Sequence, residues 1–148
     1  MRKNYSISLR VRALADSWRL QCELIQQAQE VVFELCEECQ PTVLLLVLDG
    51  TRGVCLHKVE PKRTIKLVAD IGKTFPLHAA ACGKVLLAHA QAYLQQKVLS
   101  SPLKAFTQYT VTDPLTLQDE IREIREKGYA LSLEELTIGV AEVASPQP

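Results

Sequence analysis

Three side chains of this 148-residue sequence could carry nucleophilic chemistry, namely the thiol of Cys82 and the imidazoles of His78 and His57. Cys82 lies at the predicted start of a helix, where the positive end of the helix dipole stabilises a thiolate. A thiol nucleophile also needs a base that a third group orients. No carboxylate or amide stands out as the partner of either histidine. The constellation therefore does not favour a thiol enzyme, and we predict no catalytic residue.

Gly83 and Lys84 suggest a phosphate-binding loop, but the rest of that motif is missing. The motif requires a glycine five residues before Gly83 and a hydroxyl side chain directly after the lysine. These positions hold His78 and Val85. The sequence therefore does not predict a phosphate loop here.

Two further pairs could do chemistry by type. Cys36 and Cys39 have the CxxC spacing of a redox pair or of half a metal site. Zinc would need a second such pair or two histidines, and a thioredoxin-like pair would follow a strand rather than end a helical pattern. Glu134 and Glu135 could be paired carboxylates, but adjacent residues point apart. We interpret the cysteines as structural and the glutamates as a solvated turn, and we predict no metal or cofactor.

The stretch PLHAAACGKVLLAHA, residues 76–90, places small side chains directly before an apolar run. The first N–H groups of a helix have no partner within the helix and carry a partial positive charge. They favour an anion or a polar carbonyl compound, and residues 79–83 would leave the approach open. Small side chains serve close helix–sheet packing equally well, so the sequence leaves both interpretations open.

The composition excludes several classes of protein. Seventeen basic residues balance seventeen acidic ones, so the chain is not a strongly basic nucleic-acid binder. The longest apolar stretch, Val43 to Leu48, is too short to cross a membrane, and the N-terminus lacks the apolar core of a signal peptide. Five cysteines, an odd number, fit a reducing compartment. We expect a cytoplasmic protein that does not bind a membrane.

The elements that must position these residues follow from periodicity and turn signals. Helical patterns run from Val11 to Trp18 and from about Leu20 to Cys39, the second with an apolar stripe at steps of three and four. Helices are also predicted at 78–90, at 91–99 and after the N-cap Asp113, the last ending at Gly128. The members of the predicted stripe are Leu24, Ala28, Val31 and Leu35.

Strands are predicted between these helices. A weak alternation spans residues 3–9, and the apolar run 42–48 indicates a strand covered on both faces. Asp49 and Gly50 favour a hairpin to a second strand at 54–59. A third strand is predicted at 64–69, a loop at 70–76, and short strands at 129–133 and 139–144. The order indicates an α/β (α+β) fold in which helices pack around a mixed sheet. Because the chain stops soon after the last strand begins, we expect a segment to be missing downstream.

Several segments, in this order, resemble the effector-binding domain of IclR-type bacterial transcriptional regulators. The resemblance runs from about residue 22 to residue 146, and each motif alone is weak. The specificity lies in the whole series, whose segments include Gly72 to Ala79, Gly83 to Ala88, Thr107 to Asp113, Lys127 to Tyr129, Glu134-Glu135, Gly139-Val140 and Ala144 to Pro146.

The resemblance implies a GAF-like domain that senses a small molecule, usually an organic or sugar acid, and that forms a homodimer or tetramer. Residues 1–19 would be the remnant of a wing strand, Tyr5 to Leu9, and a linker helix, Arg10 to Arg19. Residues 20–148 would be the effector-binding domain, incomplete at its C-terminal end. Operator DNA would be read by a helix-turn-helix that these residues do not contain.

Matched position by position, the resemblance places the effector pocket at five residues, and it implies that the contacts at the helix start come from backbone N–H groups. Position 132 is often acidic in the family and position 142 is often cysteine, whereas this chain has serine and glutamate. A carboxylate at 142 would repel an anionic effector unless it is paired or protonated, so a simple keto acid is not the expected ligand. The five residues are Leu67, Ala81, Cys82, Ser132 and Glu142.

The sequence thus predicts the small-molecule-sensing and oligomerisation domain of a transcriptional regulator, and not an enzyme. The alternative is a truncated interaction or oligomerisation module that pairs with full-length relatives and whose own effector pocket is degenerate.

Overall fold

The structure is a computed structural model that describes residues 9–61 and 70–147, with side chains from Arg19 onward. The strands predicted at residues 3–8 and 64–69, and the predicted site residue Leu67, lie outside the described residues. Four helices and five strands are described, and the strands form one three-stranded and one two-stranded sheet. The predicted α+β class is confirmed.

The described residues divide into two compact units. The first comprises the residues up to Leu45 together with those from Leu56 to Ile71, and the second comprises Leu46–Cys55 together with the residues from Gly72 onward.

The first unit is built on one long helix, α1, which spans Leu9–Cys39. We predicted two helices that meet at Arg19 and a strand that extends to Leu9, and both predictions are wrong where the structure describes the chain. Neither glycine nor proline interrupts residues 9–39, so nothing in this segment stops the helix.

The buried face of α1 differs from the predicted stripe. Ala28 and Val32 are buried together with Leu45 of the sheet, whereas Val31 and Leu35 are 43% and 44% exposed. The sequence could not separate these faces because Val31, Val32 and Phe33 are three consecutive apolar residues. The observed face repeats every four residues, and the partly buried residues packed around it are Leu24, Ile25, Val43, Leu56 and Val59.

The three-stranded sheet has the order β1-β2-β3, with β1 at Val43–Asp49, β2 at Arg52–Val59 and β3 at Thr74–Pro76. The predicted hairpin is confirmed, and Gly50 at its turn has the left-handed φ of 55° that the turn favours. Two expectations are wrong. Residues 74–76 form a strand rather than a loop, and only Leu45 of β1 is fully buried.

The second unit surrounds α2, which spans Ala80–His89. It packs against α3 at Ala92–Leu99 and α4 at Pro114–Lys127. The two-stranded sheet of β4, Ala130–Leu133, and β5, Ala141–Ala144, also packs against α2. The buried core of this unit comprises Leu77, Ala81, Val85, Leu87, Ala88, Ala90, Leu94, Val98, Leu117, Ile121, Ile124 and Ala130.

Helix α4 confirms its predicted ends. The Asp113 carboxylate accepts a hydrogen bond from the Thr116 N–H at 2.7 Å, and Gly128 closes the helix with a left-handed φ of 77°. The predicted face of Leu117, Ile121 and Ile124 is buried. Helix α4 thereby fixes the chain direction into β4, which carries Ser132.

Candidate functional site

The start of α2 has no capping side chain of its own. The N-cap residue is Ala79, which offers no hydrogen bond, and the first turn contains no acidic residue. An alanine at this position typically costs about 1 kcal/mol relative to a serine or aspartate that binds the free N–H groups. Ala80 also has a left-handed φ of 68°, a conformation that an L-residue rarely adopts. The partners of these N–H groups must therefore come from another element.

The partners come from β4 and β5. The N–H of Ala81 donates to the Ser132 Oγ at 3.0 Å, and Ser132 is the cross-strand partner of Glu142. Directly opposed residues of an antiparallel pair point to the same face of the sheet. The Cys82 thiol and the backbone N–H groups of Cys82 and Ala81 act on the Glu142 carboxylate and oppose the rise in its pKa that burial causes. The structure thus brings together four of the five predicted site residues.

The electrostatics of this cluster disfavour thiol chemistry. Burial, reinforced by the Glu142 carboxylate, raises the pKa of the Cys82 thiol to about 12. Burial also raises the pKa of Glu142, although its hydrogen bonds with Cys82 and the backbone oppose that shift. The His78 Nε2 lies 2.9 Å from the backbone oxygen of Lys104, so this imidazole nitrogen is already engaged. Cys82 is therefore a protonated hydrogen-bond donor at neutral pH.

The small residues before the apolar run have two separate roles. A Cβ atom at Gly83 would lie 2.1 Å from the Pro76 carbonyl oxygen, so here the backbone of β3 requires glycine. Ala79, Ala80 and Ala81 are buried, and Ala81 belongs to the core. Packing therefore explains the small side chains, while the backbone N–H of Ala81 donates to Ser132.

The sequence reasoning missed a buried ion cluster. The Lys84 side chain is 2% exposed, and its Nζ lies 2.7 Å from Glu135 Oε1 and 2.7 Å from Glu120 Oε2. The one local signal was a lysine on an otherwise apolar helix. No spacing rule connects Lys84 to Glu135, which lies 51 residues further along the chain.

The adjacent glutamates, which we interpreted from the sequence as a solvated turn, have different surroundings. Glu134 is half-buried and accepts a hydrogen bond from the Gly139 N–H at 2.7 Å. Glu135 is buried against Lys84, so its assignment to a solvated turn is wrong. The reason is that the Lys84 ammonium compensates the buried carboxylate.

A cavity of about 170 Å³ opens beside α4, and no predicted site residue lines it. The cavity lining comprises Lys84, Glu120, Glu123, Ile124, Lys127, Tyr129, Ala130 and Leu131.

Among the described side chains, no group of three His, Cys, Asp or Glu residues could hold a metal ion. Cys36 and Cys39 lie in the last turn of α1 as free thiols, one buried and one exposed. No helix in the described part of the chain combines the length and apolar character needed to cross a membrane.

Comparison with known proteins points to one family. The family model described as Bacterial transcriptional regulator IclR C-terminal matches residues 20–147. The HTH-type transcriptional regulator Rv1719 of Mycobacterium tuberculosis is 33% identical over 141 residues, which cover 95% of this chain and 54% of the relative. The HTH-type transcriptional regulator BhcR of Paracoccus denitrificans is 36% identical over 124 residues, which cover 83% of this chain and 44% of the relative. This chain thus spans about half the length of these relatives.

Solved structures agree with the sequence comparison. An IclR homolog from Microbacterium hydrocarbonoxydans, solved in complex with 4-hydroxybenzoate, matches with a TM-score of 0.84 and 25% identity. The match covers 95% of this chain and 58% of that one.

Proposed function

Because the chain belongs to the IclR family of bacterial transcriptional regulators, within their C-terminal domain, we propose that it senses a small-molecule effector and couples effector binding to operator affinity. An effector that binds one arrangement of linked subunits more tightly shifts the population toward that arrangement. The subunits would form a homodimer or tetramer, and a helix-turn-helix outside these residues would contact operator DNA. This role places the protein in the cytoplasm, where bacterial operators lie.

The proposed effector site is the start of α2 with the facing sheet. The observation that carries this assignment is the convergence of Ser132 and Glu142 on the N–H groups of Ala81 and Cys82. Two strands distant in sequence supply polar groups to one helix end, and a ligand that exchanges with these groups would change how β4, β5 and α2 contact each other. Leu67, which the family resemblance assigns to the pocket, completes the proposed site.

We propose regulation rather than catalysis. The relatives are transcriptional regulators, and a Cys82 thiol whose pKa is raised to about 12 is a poor nucleophile at neutral pH.

A thermal-unfolding screen tests the sensing function. The panel contains 4-hydroxybenzoate, which is the ligand of the structural neighbour, sugar acids, and an uncharged counterpart of each acid. A ligand at 100 times its Kd stabilises the folded state by about 2.7 kcal/mol, a rise in melting temperature of roughly 5–11 °C for a domain of this size. A stabilising compound should lose its effect in Ser132→Ala. The sensing function would be refuted if no compound stabilises the wild-type chain.

The alternative function is an oligomerisation module with a degenerate pocket. The observation that favours it is the Glu142 carboxylate, which already occupies the N–H groups at the helix start. This alternative predicts no response to any compound in the screen but stable association with a full-length relative, measured by analytical ultracentrifugation of the mixed chains.

A further inference from the structure

The N–H groups at the start of α2, which have no partner within the helix, face a carboxylate side chain from another element of the same protein. Helix α2 supplies no N-cap hydrogen bond and no acidic residue in its first turn. An isolated helix end of this kind attracts a carboxylate, because the unpaired N–H groups point at it and the helix dipole favours negative charge. In this protein the carboxylate is already present, as the side chain of Glu142.

The geometry of the sheet fixes this arrangement. Ser132 and Glu142 are paired across β4 and β5, and Ser132 reaches Ala81 with its hydroxyl at 3.0 Å. Glu142 lies on the same face of the sheet, where the N–H groups of Ala81 and Cys82 and the Cys82 thiol act on its carboxylate and oppose the rise in its pKa. The start of α2 therefore faces two polar side chains of the sheet, Ser132 and Glu142.

The charge at this site is not neutralised by a basic side chain. None of the described ion pairs involves Glu142, and the charged group that acts on it is Glu135, which has the same sign. The buried carboxylate is therefore held by hydrogen bonds and by the helix dipole. A second carboxylate brought to the same N–H groups would face a like charge and lose its donors.

We propose that Glu142 acts as a built-in carboxylate that fills the anion position at the start of α2 and thereby excludes carboxylate effectors from the wild-type domain. The proposal rests on the proposed effector site. It identifies Glu142 as the residue that sets ligand specificity, with uncharged ligands favoured over the corresponding acids.

Chemical rescue tests this occupancy without knowledge of the natural ligand. Glu142→Ala removes the part of the side chain beyond Cβ, a fragment whose shape and charge match acetate. The melting temperature of Glu142→Ala should rise by several degrees in sodium acetate relative to sodium chloride of equal ionic strength, and acetamide should have no such effect. The wild type should show no difference between the two salts. Glu142→Gln, whose amide fills the space, should also show none.

The position of the rescue is read from backbone amide resonances. In Glu142→Ala, acetate should shift the N–H resonances of Ala81 and Cys82, which should stay unchanged in the wild type. If the variant does not fold in chloride, recovery of folded protein in acetate measures the same contact. Equal responses of wild type and variant, or no response of the variant by either measurement, would overturn the proposal.

The rescue experiment and the effector screen can fail independently. If the rescue fails, a compound that stabilises the wild type is still an effector. If the screen fails, a successful rescue still shows that Glu142 occupies the anion position.

Discussion

The close approach of α2 to β3 predicts that Gly83→Ala destabilises the protein, against the usual effect of this substitution in a helix. Inside a helix, alanine is normally more favourable than glycine by about 0.5–1 kcal/mol. At Gly83 the added Cβ would lie 2.1 Å from the Pro76 carbonyl oxygen and 3.2 Å from the Leu77 Cα. Both neighbours are backbone atoms, so no side-chain rotation relieves the contact.

The magnitude follows from the displacement that the backbone must make. Non-bonded heavy atoms prefer separations of about 3.5 Å, so α2 and the end of β3 must separate by roughly 1.4 Å. Overpacking of this kind typically costs about 1–3 kcal/mol. For a domain of this size the melting temperature should fall by roughly 2–12 °C.

Thermal unfolding followed by circular dichroism measures the effect. Gly53→Ala is the matched control because its Cβ would lie 2.8 Å from Leu86 Cδ1, the mobile end of a side chain, which can rotate away. We expect Gly53→Ala to destabilise the protein less than Gly83→Ala does. A Gly83→Ala protein as stable as the wild type would refute the reasoning, since helix propensity would then outweigh the backbone contact.

Two further predictions follow from the buried charges. Lys84→Met should lower the free energy of unfolding, measured in urea, by about 3–5 kcal/mol, because it leaves the Glu135 carboxylate buried without its cation. Adding Glu135→Gln to this variant should restore part of the lost stability. An unchanged urea midpoint for Lys84→Met would contradict this prediction. Burial raises the pKa of Glu142, so the folded state binds the proton more tightly than the unfolded state, and stability should fall as pH rises from the ordinary carboxyl pKa through the raised one. The difference in unfolding free energy between wild type and Glu142→Gln, measured across pH 4 to 8, should decline in that window, and a difference that rises with pH would show that the hydrogen bonds outweigh burial.

Elements with local signals were predictable from the sequence. The Asp113 cap and the Gly128 terminus of α4 are each specified within one turn of the helix, and the hairpin at Asp49 and Gly50 is specified by a two-residue turn. By contrast, β3 has three residues, too few to show a period, and it exists because it pairs with β2. Its presence depends on partners outside its own segment.

The candidate site was only partly predictable. The small residues of α2 suggested either packing or ligand access, and only the contact of Gly83 with the Pro76 backbone assigns glycine at that position to packing. The Lys84 cluster depends on a partner 51 residues away, which no periodicity reveals. Ser132 and Glu142 were identified through family resemblance, whereas their convergence on one helix end is a property of the β4–β5 register.

The uninterrupted helix α1 has a mechanical consequence. Its 31 residues make a rod about 46 Å long, anchored to the sheet by Ala28 and Val32. Leu9 lies 19 residues before Ala28, so the rod extends about 28 Å beyond this anchor. A tilt of about 10° at the anchor would swing the Leu9 end through about 5 Å, nearly one helical turn. An adjustment of about 1 Å between Ala28 and Val32 at the sheet is thereby magnified about fivefold at the far end of the helix.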